Sequence, residues 1–276
     1  AARSLKKGKV SYLFSSGWAK LKSRFGSKPE KLDEISVERR LIGWRSPEGV
    51  SVEALVQDNR ENAKLLYLNP ENVRFGMEMG SGALFNPQDR LKSYSDVFFF
   101  ASLAFSSSHG EITELAFDRG KVVSQLLSTK GKDAFVFVNF RGQLSILDKR
   151  DLMLHDIYEA LGLPIRGENR RLRVAQNLRD YTLFIRLIKQ SRASMLASMM
   201  FVTNGEYEIS SNVQEKSRRI LLQYEDGNIA ILDSTDDMST NDAIQLALAS
   251  GKLKYAVYMD TGNFDTAFYY ESEDHS

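Results

Sequence analysis

The residues best suited to chemistry stand together near the end of the chain, where the apolar run Tyr255–Met259 gives way to Asp260, Thr261, Gly262, Asn263, Phe264 and Asp265. Polar groups at the mouth of an apolar strand suggest a ligand site, because the carboxyl ends of strands in open α/β sheets border a crevice. The same residues also make an ordinary turn in which Asp bonds its own backbone, and the spacing alone leaves both readings open. A basic pair, Arg218-Arg219, precedes another apolar run. Its planar guanidinium forks suit oxyanions, though such a pair is also plain surface charge. The three histidines, at 109, 155 and 275, are too scattered for a metal centre or a Ser–His–Asp triad. With no cysteine, disulfides, thiolate catalysis and Cys-based metal sites are excluded. The acidic stretch Asp233–Asp242 lacks the central Gly and terminal Glu of a calcium loop. A capped helix start accounts for Ser239 and Asp242, leaving Asp236 and Asp237 as the only pair there that could hold a cation. No metal and no cofactor is expected.

The elements that must position these groups read as strands first. Short alternating apolar runs separated by turn residues give candidates at 38–44, 51–56, 63–68, 73–78, 97–104, 112–117, 121–125, 134–139, 144–148, 200–203, 219–224, 229–233 and 255–259. Asp118-Arg119-Gly120, Arg141-Gly142 and Glu225-Asp226-Gly227 mark hairpins, since Gly supplies the positive φ of a tight turn. Three helices are expected: one from Asp151 as N-cap to the Gly162-Leu163-Pro164 stop, one over about 177–190, and one from Ser239 or Thr240 to Gly251. The last lies between strands 229–233 and 255–259, so a crossover would make those two strands parallel neighbours. The run Ser194–Met200 reads as core in which Met fills gaps. The expected fold class is α+β: a mixed sheet with many hairpin strands and a C-terminal βαβ unit.

Length and composition allow one domain of this size, preceded by an appendage. Residues 1–34 form a basic arm, with nine Lys or Arg and a single acid among the first 31, while the tail Glu271–Ser276 is acidic. The arm could touch an anionic surface or polymer, and a solvated terminus explains it as well. A formal net charge of +1 gives no global argument for nucleic acid. The cluster Arg166, Arg170, Arg171, Arg173 and Arg179 carries no RNA-binding motif and is expected to be a surface with internal ion pairs. No run approaches the ~18 apolar residues of a membrane span. The opening Ala1-Ala2 is what trimming of an exported protein's leader would leave, and an extracytoplasmic location is the expectation.

The order of elements carries a further signal. The runs "AKLLYLNPENVRFGMEMGSG" (63–82), "DVFFFASLAFSSSHGEITELAFDRGKVVS" (96–124), "FVFVNFRGQLSILDK" (135–149), "MMFVTNGEYEIS" (199–210) and "SRRILLQYEDGNIAILDSTDDMSTNDAIQLALASGKLKYAVYMDTG" (217–262) together resemble the phosphodiester glycosidase family over about residues 50–270. Four polar motifs of that family have counterparts here. Its Asn-Gly-Gly-Phe-Phe-like run falls on Ala101-Ser102-Leu103-Ala104-Phe105, so Ala101 stands where the amide would be. Its Gln-(small)-Gly-Pro run falls on Leu196-Ala197-Ser198-Met199, again without the amide. Its Arg before a short strand and an Asp-Gly hairpin corresponds to Arg218 or Arg219, and its Leu-Asp-Gly-Gly-Gly-Ser run to Met259–Phe264, with Asp260 kept.

The resemblance implies a protein that binds a sugar-phosphate or glycan. Asp260 would be its catalytic acid/base, with Asp265 or Glu206 as a second carboxylate, and Arg218 or Arg219 would grip the phosphate. Ser102 and Gly262 would let substrate approach the backbone, with Thr261, Asn263 and Asp265 also lining the ligand. Because Ala101 and Leu196 offer no hydrogen bond, and loss of one positioned donor commonly costs about 10²–10³ in rate, the implied enzyme is weakened or inactive. The alternative is an active hydrolase of sugar phosphodiesters.

Overall fold

The protein is described here from a computed structural model, which covers residues 32, 35–42, 47–77, 99–101, 103, 112, 114–124, 133–207, 214–259 and 267–269. In chain order the strands are β1 (Glu38–Leu41), β2 (Val50–Gln57), β3 (Arg60–Leu68), β4 (Phe99–Ala101), β5 (Ala116–Asp118), β6 (Lys121–Ser124), β7 (Ala134–Val138), β8 (Leu144–Asp148), β9 (Ser194–Ser198), β10 (Met200–Thr203), β11 (Glu206–Tyr207), β12 (Arg219–Tyr224), β13 (Ile229–Ser234), β14 (Leu253–Met259) and β15 (Ala267–Tyr269). The helices are α1 (Leu154–Ala160), α2 (Leu178–Ser191) and α3 (Thr240–Ala249), with a 3-10 turn at Lys149–Asp151.

The strands form an eight-stranded sheet ordered β1-β2-β3-β13-β12-β14-β10-β11, a five-stranded sheet ordered β6-β5-β9-β7-β8, and the pair β15-β4. Period-two alternation assigns each large sheet two buried faces. On β12, Leu221 joins a core shared with Val136 and Ile146 of the five-stranded sheet, whereas Ile220 and Leu222 pack with Ala243, Ile244 and Ala247 of α3. The five-stranded sheet turns Phe135 and Phe137 the other way, onto Ile157 of α1 and Phe184 of α2. The Phe135 and Phe184 rings stack at 5.0 Å, with Phe137 edge-on to Phe184 at 6.2 Å. Four layers result, helices outside and two sheets inside, and the fold class is α+β.

Local chemistry sets the helix starts. Asn177 caps α2 by accepting from the N–H groups of Arg179 and Asp180. Ser239 and Asp242 form a reciprocal capping box on α3. Asp151 is not the N-cap of α1 as expected: Asp148 accepts from the Arg150 N–H and caps the 3-10 turn, which Asp151 ends, and α1 begins only at Leu154.

Strand pairing differs from the expected crossover in one respect. The β13–α3–β14 unit is present, but β12 lies between its two strands and is antiparallel to each, so they share a direction without being neighbours. The ladders of both large sheets are antiparallel throughout. The segment 73–77 is not a strand; Val73 is buried and Phe75 donates its N–H to the Gly142 carbonyl at 2.8 Å, so this loop packs on the hairpin beside it. Residues 194–198, read only as core, form β9, the central strand of the five-stranded sheet with all five residues buried. Of the basic arm only Leu32 falls within the described residues; its N–H donates to the Tyr207 hydroxyl at 3.0 Å. No helix among the described residues is long and apolar enough to cross a membrane.

Candidate functional site

The site is built on three adjacent strands of the eight-stranded sheet. The continuous segment β9–Met199–β10 leaves the five-stranded sheet at Ser198 and enters the eight-stranded one at Met200. At this corner the Tyr258 N–H donates to the Met199 carbonyl at 3.0 Å, and the buried Ser198 hydroxyl donates to the Tyr258 carbonyl at 2.8 Å. The next residue of β14, Met259, lies opposite Arg219 of β12, and Arg219 lies opposite Asp233 of β13. Ala101 and Leu103 pack against the same inter-sheet core as Met200 and Met259. Ala101, Leu103, Met200 and Met259 thus share one inter-sheet core, with Arg219 opposite Met259.

Arg218 and Arg219 are placed differently. Alternation along a strand sends consecutive side chains to opposite faces, so only one of them can turn toward the inter-sheet core. Arg219 shares the parity of Leu221, whose side chain enters that core. Arg219 is only 4% exposed, and its Nη2 contacts both carboxylate oxygens of Asp233, at 3.1 and 3.2 Å. Arg218, 2% exposed, donates through Nε to the Met238 carbonyl at 3.1 Å and through Nη2 to the Gln214 carbonyl. Its backbone N–H donates to Ser234 Oγ at 2.8 Å. Burial demands this pairing, because an uncompensated charge away from water costs several kcal/mol. A phosphate bound by Arg219 would compete directly with the Asp233 carboxylate.

Leu196 is a core residue of β9 opposite Ala116 and Val136. Asp260, Thr261, Gly262, Asn263, Asp265 and Ser102 lie outside the described residues. Asp260 follows Met259 directly in the chain. Glu206, the other possible second carboxylate, lies on β11 across the sheet edge, paired opposite Thr203. Asp233, the residue that balances the charge of Arg219, was not singled out from the sequence. Hairpin counting could have found it: four residues out from Gln223 and Ile229, the pair flanking the turn, stand Arg219 and Asp233.

Two open clefts lie at opposite ends of α3. One, of about 280 Å³, has Gln57, Arg60, Asn62, Asp236, Asp237 and Gln245 among its walls. Asp236 is paired with Arg60 at 2.8 Å, and among the described residues no three acids or histidines gather as a metal ion would require. The other, of about 300 Å³, includes Arg39, Tyr67, Tyr224, Asp226, Gly251 and Lys252. A Cβ on Gly251 would lie 2.9 Å from the Tyr224 ring, so only glycine lets the chain pass there. Burial pushes the Tyr224 hydroxyl up to about 12, against the pull of its hydrogen bond to Ser250 and the nearby Arg39 charge. Neither cleft has Arg218 or Arg219 in its walls.

No protein-family model matches the chain, and no curated protein matches it.

Proposed function

We propose that this protein is a divergent relative of the phosphodiester glycosidases that binds a sugar-phosphate or glycan and whose catalysis is weakened or lost. The observation that carries the reading is the juxtaposition at the corner before β10 and on β14 and β12: Met199 bonded to Tyr258, and Met259 opposite Arg219, with Asp260 next in the chain after Met259. The loss of catalytic strength is argued from chemistry. Ala101 and Leu196 supply no hydrogen bond, and the charge of Arg219 is already balanced by Asp233. The site therefore keeps one carboxylate and a neutralised cation, which suits recognition of a polar ligand better than stabilisation of a charged transition state. In this reading the basic arm contacts an anionic surface or polymer.

Calorimetric titration of the full chain with N-acetylglucosamine 1-phosphate tests the binding. Saturable binding weakened at least about tenfold by Asp260→Asn supports the reading, that being the scale of one charge-assisted hydrogen bond. Absence of binding, or binding indifferent to Asp260, overturns it.

A further inference from the structure

The eight-stranded sheet ends on one side at β1, whose outer edge no described strand pairs. All four residues of β1 are exposed, Leu41 to 72%. The other edge strands of the two large sheets are covered more fully or are shorter: β8 keeps Ile146 and Asp148 buried, β6 alternates exposed with half-buried residues, and β11 has only two residues. One bond fixes which way the main-chain groups of β1 point. The Ile42 N–H donates to the Val52 carbonyl of β2 at 2.9 Å. Bonded and non-bonded residues alternate in an antiparallel ladder. Arg40 and Glu38 therefore also face β2, and Leu41 and Arg39 turn their N–H and C=O groups to the open edge. Unpaired groups of this kind are a template for another strand.

The side chains say which strand fits. By the two-residue period, Glu38 and Arg40 share one face of the sheet, while Val37, Arg39 and Leu41 share the other, on which Val37 packs toward the α3 core. Glu38 and Arg40 pair along the strand through two contacts, at 2.7 and 2.9 Å. Arg39 leans back over its own sheet. Its guanidinium bonds Glu53 of β2 and, at 3.1 Å, the Ser250 carbonyl, and it lies 5.8 Å from the centre of the Tyr67 ring on β3. That charge is thereby drawn away from the open edge.

We propose that β1 pairs with β1 of a second copy of this chain, antiparallel about a two-fold axis at Arg39, so that two eight-stranded sheets become one. Outward-pointing groups must meet outward-pointing groups, which centres the symmetric pairing on a residue and not between two. Centring on Glu38 or on Arg40 sets that residue against its own copy, like charge to like. Centring on Arg39 sets Glu38 opposite the partner's Arg40, and Leu41 opposite the partner's Val37, each twice. Two carboxylates and two guanidiniums then alternate around a square in which every neighbour, along or across the strands, has the opposite sign. The two Arg39 side chains also face each other, but each is held by its own Glu53. Leu41 gains apolar cover that the single chain does not give it. Short charged edge strands ordinarily deter pairing; here the charges select a register.

The test is sedimentation velocity of the full chain over a concentration series. The seam is small, and contacts of that size make weak, transient complexes, so a reversible dimer is expected whose fraction rises with concentration. Glu38→Lys and Arg40→Glu each set like charges opposite one another twice, and each is expected to raise the dissociation constant at least about tenfold. The double change Glu38→Lys/Arg40→Glu restores unlike pairs and is expected to recover the dimer. Leu41→Pro removes an outward N–H from an edge strand, where proline is tolerated, and is expected to leave monomer only. Unchanged thermal unfolding checks that all four variants fold. A chain that stays monomeric up to about 1 mM overturns the proposal. So does a dimer that survives Leu41→Pro, one indifferent to both single charge reversals, or a double variant no better paired than the singles.

Discussion

Beside the Met199 corner, Arg218 and Arg219 are buried: Arg219 pairs with Asp233, and Arg218 donates to main-chain carbonyls. At the opposite end of β9, Arg141 and Arg192 stand in solvent with no described acid in an ion pair. The difference follows from where the chain carries each residue. A guanidinium at the end of a central strand must bring its counter-charge into the fold, whereas one at a hairpin tip keeps its hydration and remains free for an external partner. Arginine content therefore does not mark a ligand site; its internal commitments do.

The largest test of this contrast is Arg219→Ala, which strands Asp233. Urea unfolding is expected to show a loss of about 3–5 kcal/mol, and the paired change Arg219→Met/Asp233→Leu is expected to recover most of it. A loss below about 1 kcal/mol for Arg219→Ala would place the pair among surface bridges. Next comes Ser198→Ala, which removes the buried donor to the Tyr258 carbonyl at the corner; about 1–2 kcal/mol is expected from the same measurement.

Between the extremes lies Asp180, which accepts from the Arg173 N–H at 2.9 Å and from Arg170 Nη1 at 2.8 Å. The Arg173 N–H first, and the Arg170 guanidinium after it, hold its carboxyl below the ordinary range against the opposing effect of burial. A folded value below the unfolded one means that folding favours the charged form. The resulting stability is present above the unfolded value of about 3.9 and lost as pH falls through it toward the folded one. Wild-type stability should thus fall more steeply than that of Asp180→Asn below about pH 4, as followed by urea midpoints across that range. The smallest effect belongs to Arg186→Ala on the exposed side of α2, expected within about 0.5 kcal/mol.

Much of the architecture is legible in the residues, and the exceptions have physical causes. The three hairpins at 119–120, 141–142 and 225–227 follow from glycines that adopt positive φ at 120, 142 and 227. The hairpin joining β2 to β3 turns instead on Asp58 and Asn59 at φ 53 and 62, a left-handed pair without the glycine that marks the others. β9 is apolar on both faces because sheets and helices cover it on both sides, which erases the alternation that reveals a half-buried strand. The intervention of β12 between β13 and β14 is a choice of sheet order, and the local residues do not encode it. Within the site, the strand ends follow from reading the element order and Asp233 from hairpin counting, whereas the proximity of Arg219 to Met259 depends on the pairing of β12 with β14. The expected ion pairing of the Arg166–Arg179 cluster holds for Arg170 with Asp180 and for Arg171 with Asp151, while Arg166, Arg173 and Arg179 form no ion pair with a described acid. Pairing depends on which acids the tertiary fold delivers, and that lies outside any local window.

The most direct measurement is turnover of an N-acetylglucosamine 1-phosphodiester by the full chain, wild type against Asp260→Asn. The reading of an eroded site predicts binding with little or no hydrolysis above background in either protein. Robust turnover that Asp260→Asn abolishes would contradict it and make the protein a working hydrolase.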